Sequence, residues 1–221
     1  MVRSDLVGPP LPHKTGGGRE VKVDAHVKRY HLGPDTDLES RMYPLIRMAK
    51  EFLAHRQSGE LGPFDTHVSR HRCWPQDIDM FMEMNNGRIL TILDLGRTVL
   101  AHRVGLLSAL RANGWSMTMA GVSVRYRRRI RPFVKFRTVS KCVGYDHRFA
   151  YLDQSIWIGD ECAVQALYRS AITDENGIVA PEKVFAAMGL EAAPPELPHW
   201  VASWIEADAT RPWPPLDDGR G

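Results

Sequence analysis

Hydrophobic residues recur every three or four positions in two long stretches of the chain, and this spacing predicts amphipathic helices. The first stretch covers residues 37–55, where Pro44 either starts the helix or kinks it, and its polar face carries Arg47 and Glu51. The second stretch covers residues 86–110. Its apolar positions surround most of the helix, so we expect it to be largely buried and to end at Asn113–Gly114.

Alternating apolar and polar residues predict five strands, one before the long helix and four in close succession after it. Short turns join the last four, as is typical of an antiparallel sheet. The predicted strands cover residues 64–74, 117–126, 133–143, 148–158 and 162–172. A short helix over residues 181–188 follows. From Pro194 onward, proline and tryptophan recur without a period, which predicts an extended tail lying on a surface.

A long apolar helix needs a sheet to cover it, so the element order predicts an α+β fold with a central helix wrapped by five or six antiparallel strands. We divide the chain into a flexible tail, a helical extension, the folded domain and a Pro/Trp-rich extension, at residues 1–36, 37–62, 63–190 and 191–221. The outer face of such a sheet carries aromatic residues that we expect an oligomer to cover, namely Phe133, Phe149, Tyr151 and Trp157.

Both extensions have more than one interpretation. The helix over residues 37–55 either docks on its own domain, binds a partner or lies on a membrane surface, and we favour docking on its own domain. The sequence leaves open whether this helix or the C-terminal residues Trp200, Trp204 and Trp213 close a pocket, pair subunits or bind another protein.

Composition excludes several classes of protein. The chain has 221 residues, of which 43% are hydrophobic and 25% charged, as in a globular protein and unlike a disordered or fibrous one. No apolar run approaches the roughly 18 residues of a membrane span. The net charge of +3 is too weak to indicate a nucleic acid or an anionic membrane as partner.

The cysteines and the N-terminus indicate in which cellular compartment the protein works. Cys73, Cys142 and Cys162 are odd in number and form no C-x-x-C pair, which favours buried thiols over disulfides or a zinc site. The N-terminus lacks the apolar segment of a secretory signal. We therefore expect a cytoplasmic protein.

The most informative segment reads W-P-Q-D-I-D-M-F-M-E-M-N-N-G-R-I-L over residues 74–90. It resembles the hot-dog-fold acyl-CoA thioesterases of the 4-hydroxybenzoyl-CoA thioesterase-like superfamily. Their signature reads approximately D-x-D-x-x-G-H-x-N-N-x-x-Y-L and is followed by a helix with an acid and an arginine. The matching residues are Asp77, Asp79, Asn85, Asn86, Arg88, Leu90, Asp94 and Arg97. The resemblance covers about residues 64–180 and departs at Met82-Glu83, where the family has Gly-His.

The resemblance implies hydrolysis of an acyl-CoA thioester, with Asp79 as nucleophile or general base unless it only caps a turn or the helix. The lost histidine argues against the related dehydratases and hydratases but not against thioesterases. The backbone N–H of Asn86 falls in the first turn of the helix, where it either polarises the thioester carbonyl or serves only as an N-cap. Asn85 then orients the loop or the substrate.

Two further acids have alternative roles. Some hot-dog thioesterases use an acid at the position of Asp94, which makes it our second catalytic candidate. Its structural alternative is an ion pair with Arg97 or with Arg88 of a partner chain. Glu83 is a loop residue that we place at the mouth of the substrate pocket.

Five arginines fall within the seven positions 125–131. Arginine suits phosphate, which coenzyme A carries at its 3′ position and in its pyrophosphate, so we expect Arg127, Arg128 and Arg129 to bind substrate. The alternatives are a solvated strand end with ion pairs between subunits, or a nucleic-acid site. No aromatic RNA-binding motif accompanies these arginines, and we predict no nucleic-acid partner.

We predict no metal or cofactor, because the nine histidines lack ligand spacing and no phosphate-loop or dinucleotide glycine motif is present. The resemblance implies a homodimer, or a dimer of dimers, with the active site at the subunit interface. The leading alternative in function is a hot-dog protein that binds acyl-CoA or another lipid without turning it over.

Overall fold

The computed structural model describes residues 38–190 and 194–212, and of residues 38–44 only the backbone. One antiparallel sheet has the strand order β1-β3-β4-β5-β2, and β6 pairs with β5. The strands are β1 (Thr66–Arg72), β2 (Ser116–Tyr126), β3 (Lys135–Tyr145), β4 (Ala150–Ile158), β5 (Glu161–Asp174) and β6 (Gly177–Val179). The helices are α1 (Leu38–Ala54), α2 (Asn86–Arg103), α3 (Leu106–Asn113), α4 (Pro181–Ala187) and α5 (His199–Ala209).

The central helix α2 packs its apolar side chains against the concave face of the sheet, which confirms the predicted α+β architecture. Ile92 and Leu93 of α2 are fully buried in one cluster with Ile156 and Val164 of the sheet. The predicted single helix is in fact two, because Gly105 adopts a left-handed φ of +82° between α2 and α3. The apolar pattern continues through this break, so the pattern does not reveal it.

A glycine lets α2 approach the sheet closely. A Cβ atom at Gly96 would lie 2.9 Å from the Ser140 hydroxyl oxygen. That oxygen accepts a 2.7 Å hydrogen bond from the buried side-chain amide of Gln154, which also donates to the backbone oxygen of Leu93 at 2.8 Å. The helix and the sheet are therefore joined by satisfied polar contacts within an apolar core.

The C-terminal helix α5 covers part of the outer face of the sheet, and this corrects one expectation. We expected an extended tail after Pro194, but residues 199–209 are helical. Of the outer aromatics that we expected an oligomer to cover, Tyr151 and Phe149 pack against Val201 and Trp204 of α5. Phe133 is 57% exposed, and the oligomer stays a prediction. Arg169 of β5 and Asp208 of α5 form an ion pair of 2.8 Å.

The N-terminal helix α1 is present as predicted and docks on its own domain. The buried residues of its described part are the polar Arg47 and Glu51, whereas Leu45, Ile46 and Leu53 are more than 60% exposed. Met48 is partly buried against the main core cluster. Helical spacing shows which residues share a face, but it cannot show which face meets a neighbour whose own surface is polar.

Some predictions concern residues beyond those described. The flexible tail over residues 1–36 lies outside them, as do residues 191–193 and Trp213. Among the helices of residues 38–190 and 194–212, none is long and apolar enough to cross a membrane. The three cysteines are free thiols, and burial raises the pKa of Cys73 and of Cys142 to about 11.

Candidate functional site

Asp77 organises the loop between β1 and α2. Its carboxylate is fully buried and accepts hydrogen bonds from the Trp74 N–H at 2.8 Å and from the Arg47 guanidinium of α1 at 2.7 Å. Its backbone oxygen accepts the Asn85 N–H at 2.8 Å. The first acid of the sequence motif therefore holds the loop that leads into α2.

Asp79 lies within this loop and is partly exposed. Its Oδ1 accepts the Phe81 N–H at 2.8 Å, and its own N–H donates to the Glu83 backbone oxygen at 2.9 Å. Its Oδ2 accepts no hydrogen bond from the residues described. One carboxylate oxygen thus shapes a turn, while the other is available to a substrate or a water molecule.

The backbone at Met82, which replaces the family glycine, has a left-handed conformation. Met82 occupies that position with φ of +59°, a left-handed conformation that costs a non-glycine residue about 1 kcal/mol. Met80, Phe81 and Met82 are all largely exposed. The loop therefore keeps the conformation that a glycine would favour, and it presents three apolar side chains at its tip.

Asn85 caps the N-terminus of α2. Its Oδ1 accepts the N–H groups of Gly87 at 2.8 Å and of Arg88 at 3.4 Å. The Asn85 N–H is used by Asp77, and the Ile89 N–H donates to the Asn85 backbone oxygen at 3.0 Å. Asn85 is therefore the N-cap, and Asn86, for which we considered that role, is the first residue of the helix.

The backbone N–H of Asn86 is the amide of this first turn that remains unused, since it meets no acceptor among the described residues. The positive end of the α2 dipole lies at the same point. A carbonyl oxygen placed here would receive a hydrogen bond and be stabilised as negative charge develops on it.

Asn86 lines a groove between the start of α2 and the turn after β2. The groove brings together five of the predicted site residues. It is also lined by four residues that were not predicted as site residues, namely Met84, Ile89, Tyr126 and Ile130. Burial raises the pKa of the Tyr126 phenol. The predicted residues in the groove are Glu83, Asn86, Arg127, Arg128 and Arg129.

The arginines at the groove differ in their partners. Arg129 Nε lies 3.0 Å from the Glu83 carboxylate, and Arg128 pairs with Glu161. Arg127 forms no ion pair with any residue described. Ion pairing at the strand end, our structural alternative, thus accounts for two of the three, with both pairs formed within the chain.

Asp94 lies two turns along α2, outside the set of residues that line the groove. It forms the ion pair with Arg97 that we considered, at 2.5 Å, although the Asp94 side chain remains 55% exposed. The Arg97 guanidinium stacks over the Tyr168 ring at 4.3 Å. The catalytic role of Asp94 stays a prediction.

Comparison with known proteins places the chain in a class and then in a family. The YbaW probable thioesterase from Escherichia coli aligns over 55% of this chain and 96% of its own, with a TM-score of 0.52 at 16% identity. A Staphylococcus aureus protein solved in complex with CoA aligns over 63% of this chain and 94% of its own, with a TM-score of 0.51 at 13% identity. These likenesses show the hot-dog fold.

The model of the thioesterase-like superfamily matches residues 73–205, and the chain belongs to this family. Protein THEM6 from Xenopus laevis is 31% identical over 60% of this chain, and the match spans 63% of that relative, less than two thirds of its length. Protein THEM6 from Drosophila melanogaster is 30% identical over 65% of this chain and 74% of that protein.

Proposed function

We propose that this chain hydrolyses an acyl-CoA thioester. Water adds to the carbonyl carbon, the C–S bond breaks, and the products are a carboxylate, the free thiol of coenzyme A and a proton. Membership of the thioesterase-like superfamily supports the reaction class. The observation that carries the proposal is that Asn86, whose N–H meets no acceptor among the described residues, lines the groove.

The reaction needs a donor where negative charge develops, and the Asn86 amide supplies one. It is held in place because Asn85 engages its neighbours and Asp77 engages Asn85. A preorganised amide at a helix N-terminus costs no rearrangement when the thioester oxygen becomes anionic.

Asp79 is the proposed nucleophile or general base. Its free Oδ2 suits either role, and the resemblance to hot-dog thioesterases assigns the chemistry to this second acid of the motif. Glu83 lines the groove, whereas Asp79 lies in the loop beside it and is not among the lining residues. Because Glu83 is engaged by Arg129, we assign it to the pocket mouth. Arg127, with Arg128 and Arg129 beside it, would contact the phosphates of coenzyme A.

We also propose that a second copy of the chain completes the groove, that the protein acts as a homodimer or a dimer of dimers, and that it works in the cytoplasm. Strand β2 lies at the edge of the sheet next to the groove, which supports pairing at that edge. Chromatography with light scattering measures the oligomeric state directly.

The test is release of free thiol from short, medium, long and aromatic acyl-CoAs by the wild-type chain and by Asp79→Asn and Glu83→Gln. We expect turnover by the wild type and a loss of roughly 10² to 10⁴ in kcat for Asp79→Asn, the range for a lost general base. Glu83→Gln should change KM more than kcat. Equal kcat in wild type and Asp79→Asn would contradict the assigned role.

A non-catalytic acyl-CoA or lipid-binding protein is the second candidate. The engaged Glu83 and the Met82-Glu83 departure favour it. It predicts tight acyl-CoA binding, no thiol release above buffer, and an affinity that Asp79→Asn leaves unchanged.

A further inference from the structure

We infer that helix α1 is a positioning element of the active site, acting through Arg47. This inference rests on the proposed function for its effect on catalysis, but the physical coupling can be measured without it. Helix α1 lies before residues 73–205, the part of the chain that matches the family model.

The first step of the coupling is the contact between α1 and the loop. Arg47 Nη2 donates to Asp77 Oδ2 at 2.7 Å and approaches the backbone oxygen of Arg72, the last residue of β1, at 3.3 Å. The Asp77 side chain is fully buried and that of Arg47 is 10% exposed. Removing one partner of a charge pair that is excluded from water leaves an uncompensated buried charge, which costs far more than losing a surface pair.

The second step runs from Asp77 to the amide that we assign to catalysis. The same carboxylate fixes the Trp74 N–H, and the Asp77 backbone oxygen fixes the Asn85 N–H. Asn85 in turn caps α2 beside Asn86. Each link is a hydrogen bond of 2.7–2.8 Å up to the cap, so a displacement of Arg47 is passed to the start of α2.

A second ion pair provides a matched control. Arg169 and Asp208 also join a flanking helix to the domain, at 2.8 Å, but they do so on the outer face of the sheet. Arg169 of β5 lies opposite Gly121 of β2. The groove begins near Tyr126, five residues further along β2, which is a separation of about 16 Å. Losing this pair should loosen α5 and leave the groove unchanged.

The experiment uses the full chain with Arg47→Met, Arg47→Lys and Arg169→Met. Hydrogen exchange, read on peptides covering residues 74–90, should be accelerated at least tenfold by Arg47→Met, restored in part by Arg47→Lys, and unaffected by Arg169→Met. Arg169→Met should instead accelerate exchange in residues 199–209. Unchanged exchange at 74–90 in Arg47→Met, or equal acceleration in both methionine variants, would overturn the inference.

The kinetic arm separates this inference from the proposed function. With acyl-CoA, Arg47→Met should lower kcat by roughly 10- to 100-fold with little change in KM, as misplacement of a catalytic group does. A wild type without turnover refutes the proposed function, while the exchange arm still decides the coupling. If Arg47→Met does not fold, Asp77→Asn replaces it in both arms, with the same outcomes expected.

Discussion

Helices α1 and α5 flank the same domain and are joined to it by the same chemistry, an arginine paired with an aspartate. The aspartate of the α1 pair has a fully buried carboxylate that also accepts the Trp74 N–H, and its backbone oxygen accepts the Asn85 N–H of the loop before α2. The α5 pair keeps both side chains about 15% exposed, and neither residue lines the groove. Two ion pairs of nearly equal length, 2.7 and 2.8 Å, are therefore expected to differ in consequence because they attach to different parts of the domain.

The largest expected effect is on the free energy of unfolding, and it should be greater when the α1 ion pair is broken than when the α5 ion pair is broken. Asp77→Asn removes the charge that compensates a buried arginine and should lower the free energy of unfolding by about 3–5 kcal/mol. Asp208→Asn should cost about 1 kcal/mol, because its pair is partly exposed. Urea unfolding of both variants measures the difference. Equal losses would contradict the claim that the α1 ion pair matters more to stability than the α5 ion pair.

Lowering the pH should destabilise the folded protein through two buried histidines, His71 and His67, of which His71 faces α1. Burial is the main cause that lowers the pKa of His71, which faces Glu51 of α1, to about 3, and burial likewise lowers the pKa of His67 to about 4. In the unfolded chain both histidines take up protons near pH 6.5, whereas in the folded protein they stay neutral to a much lower pH. The free energy of unfolding therefore has its full value above pH 6.5 and decreases as the pH falls toward 4. His71 alone should cost about 2 kcal/mol between pH 7 and pH 5.

Urea titrations at pH 7 and pH 5 check this, with His71→Gln as the matched variant. The difference between the two pH values should shrink in that variant. A wild-type stability that rises on acidification would show that the buried histidines are protonated in the folded state.

The smallest effect belongs to the exposed face of α1. Leu53→Ala should change the free energy of unfolding by less than about 0.5 kcal/mol, because this side chain is 69% exposed. Val201→Ala in α5 should cost about 1–2 kcal/mol, since Val201 is fully buried against the sheet. Thermal unfolding ranks the two, and a reversed order would mean that the helices dock through other faces.

The sequence predicted the central helix and the strand succession because long runs of period 3.6 and period 2 are strong signals. It missed helix α5, which is short, starts directly after Pro198 and lies in a segment rich in proline. It also missed the break at Gly105, which the apolar pattern passes over.

At the site, the motif identified the residues around the start of α2, but it did not show which residue caps the helix and which is its first residue. The sequence analysis left Asn86 as either the N-cap or a donor to the substrate, and the structure gives the cap to Asn85. That choice depends on the exact residue at which the helix begins, which a sequence predicts poorly. The donor role of Asn86 stays a prediction. The contact between Arg47 and Asp77 carries no sequence signal, because the two residues are 30 positions apart and only the fold brings them together.

The most direct measurement is thiol release from one good acyl-CoA substrate by wild type, Arg47→Met and Arg169→Met under identical conditions. The account predicts turnover by wild type and Arg169→Met at similar rates, and a kcat for Arg47→Met lower by roughly 10-fold or more. Equal rates in all three proteins, or no release by wild type, would contradict it.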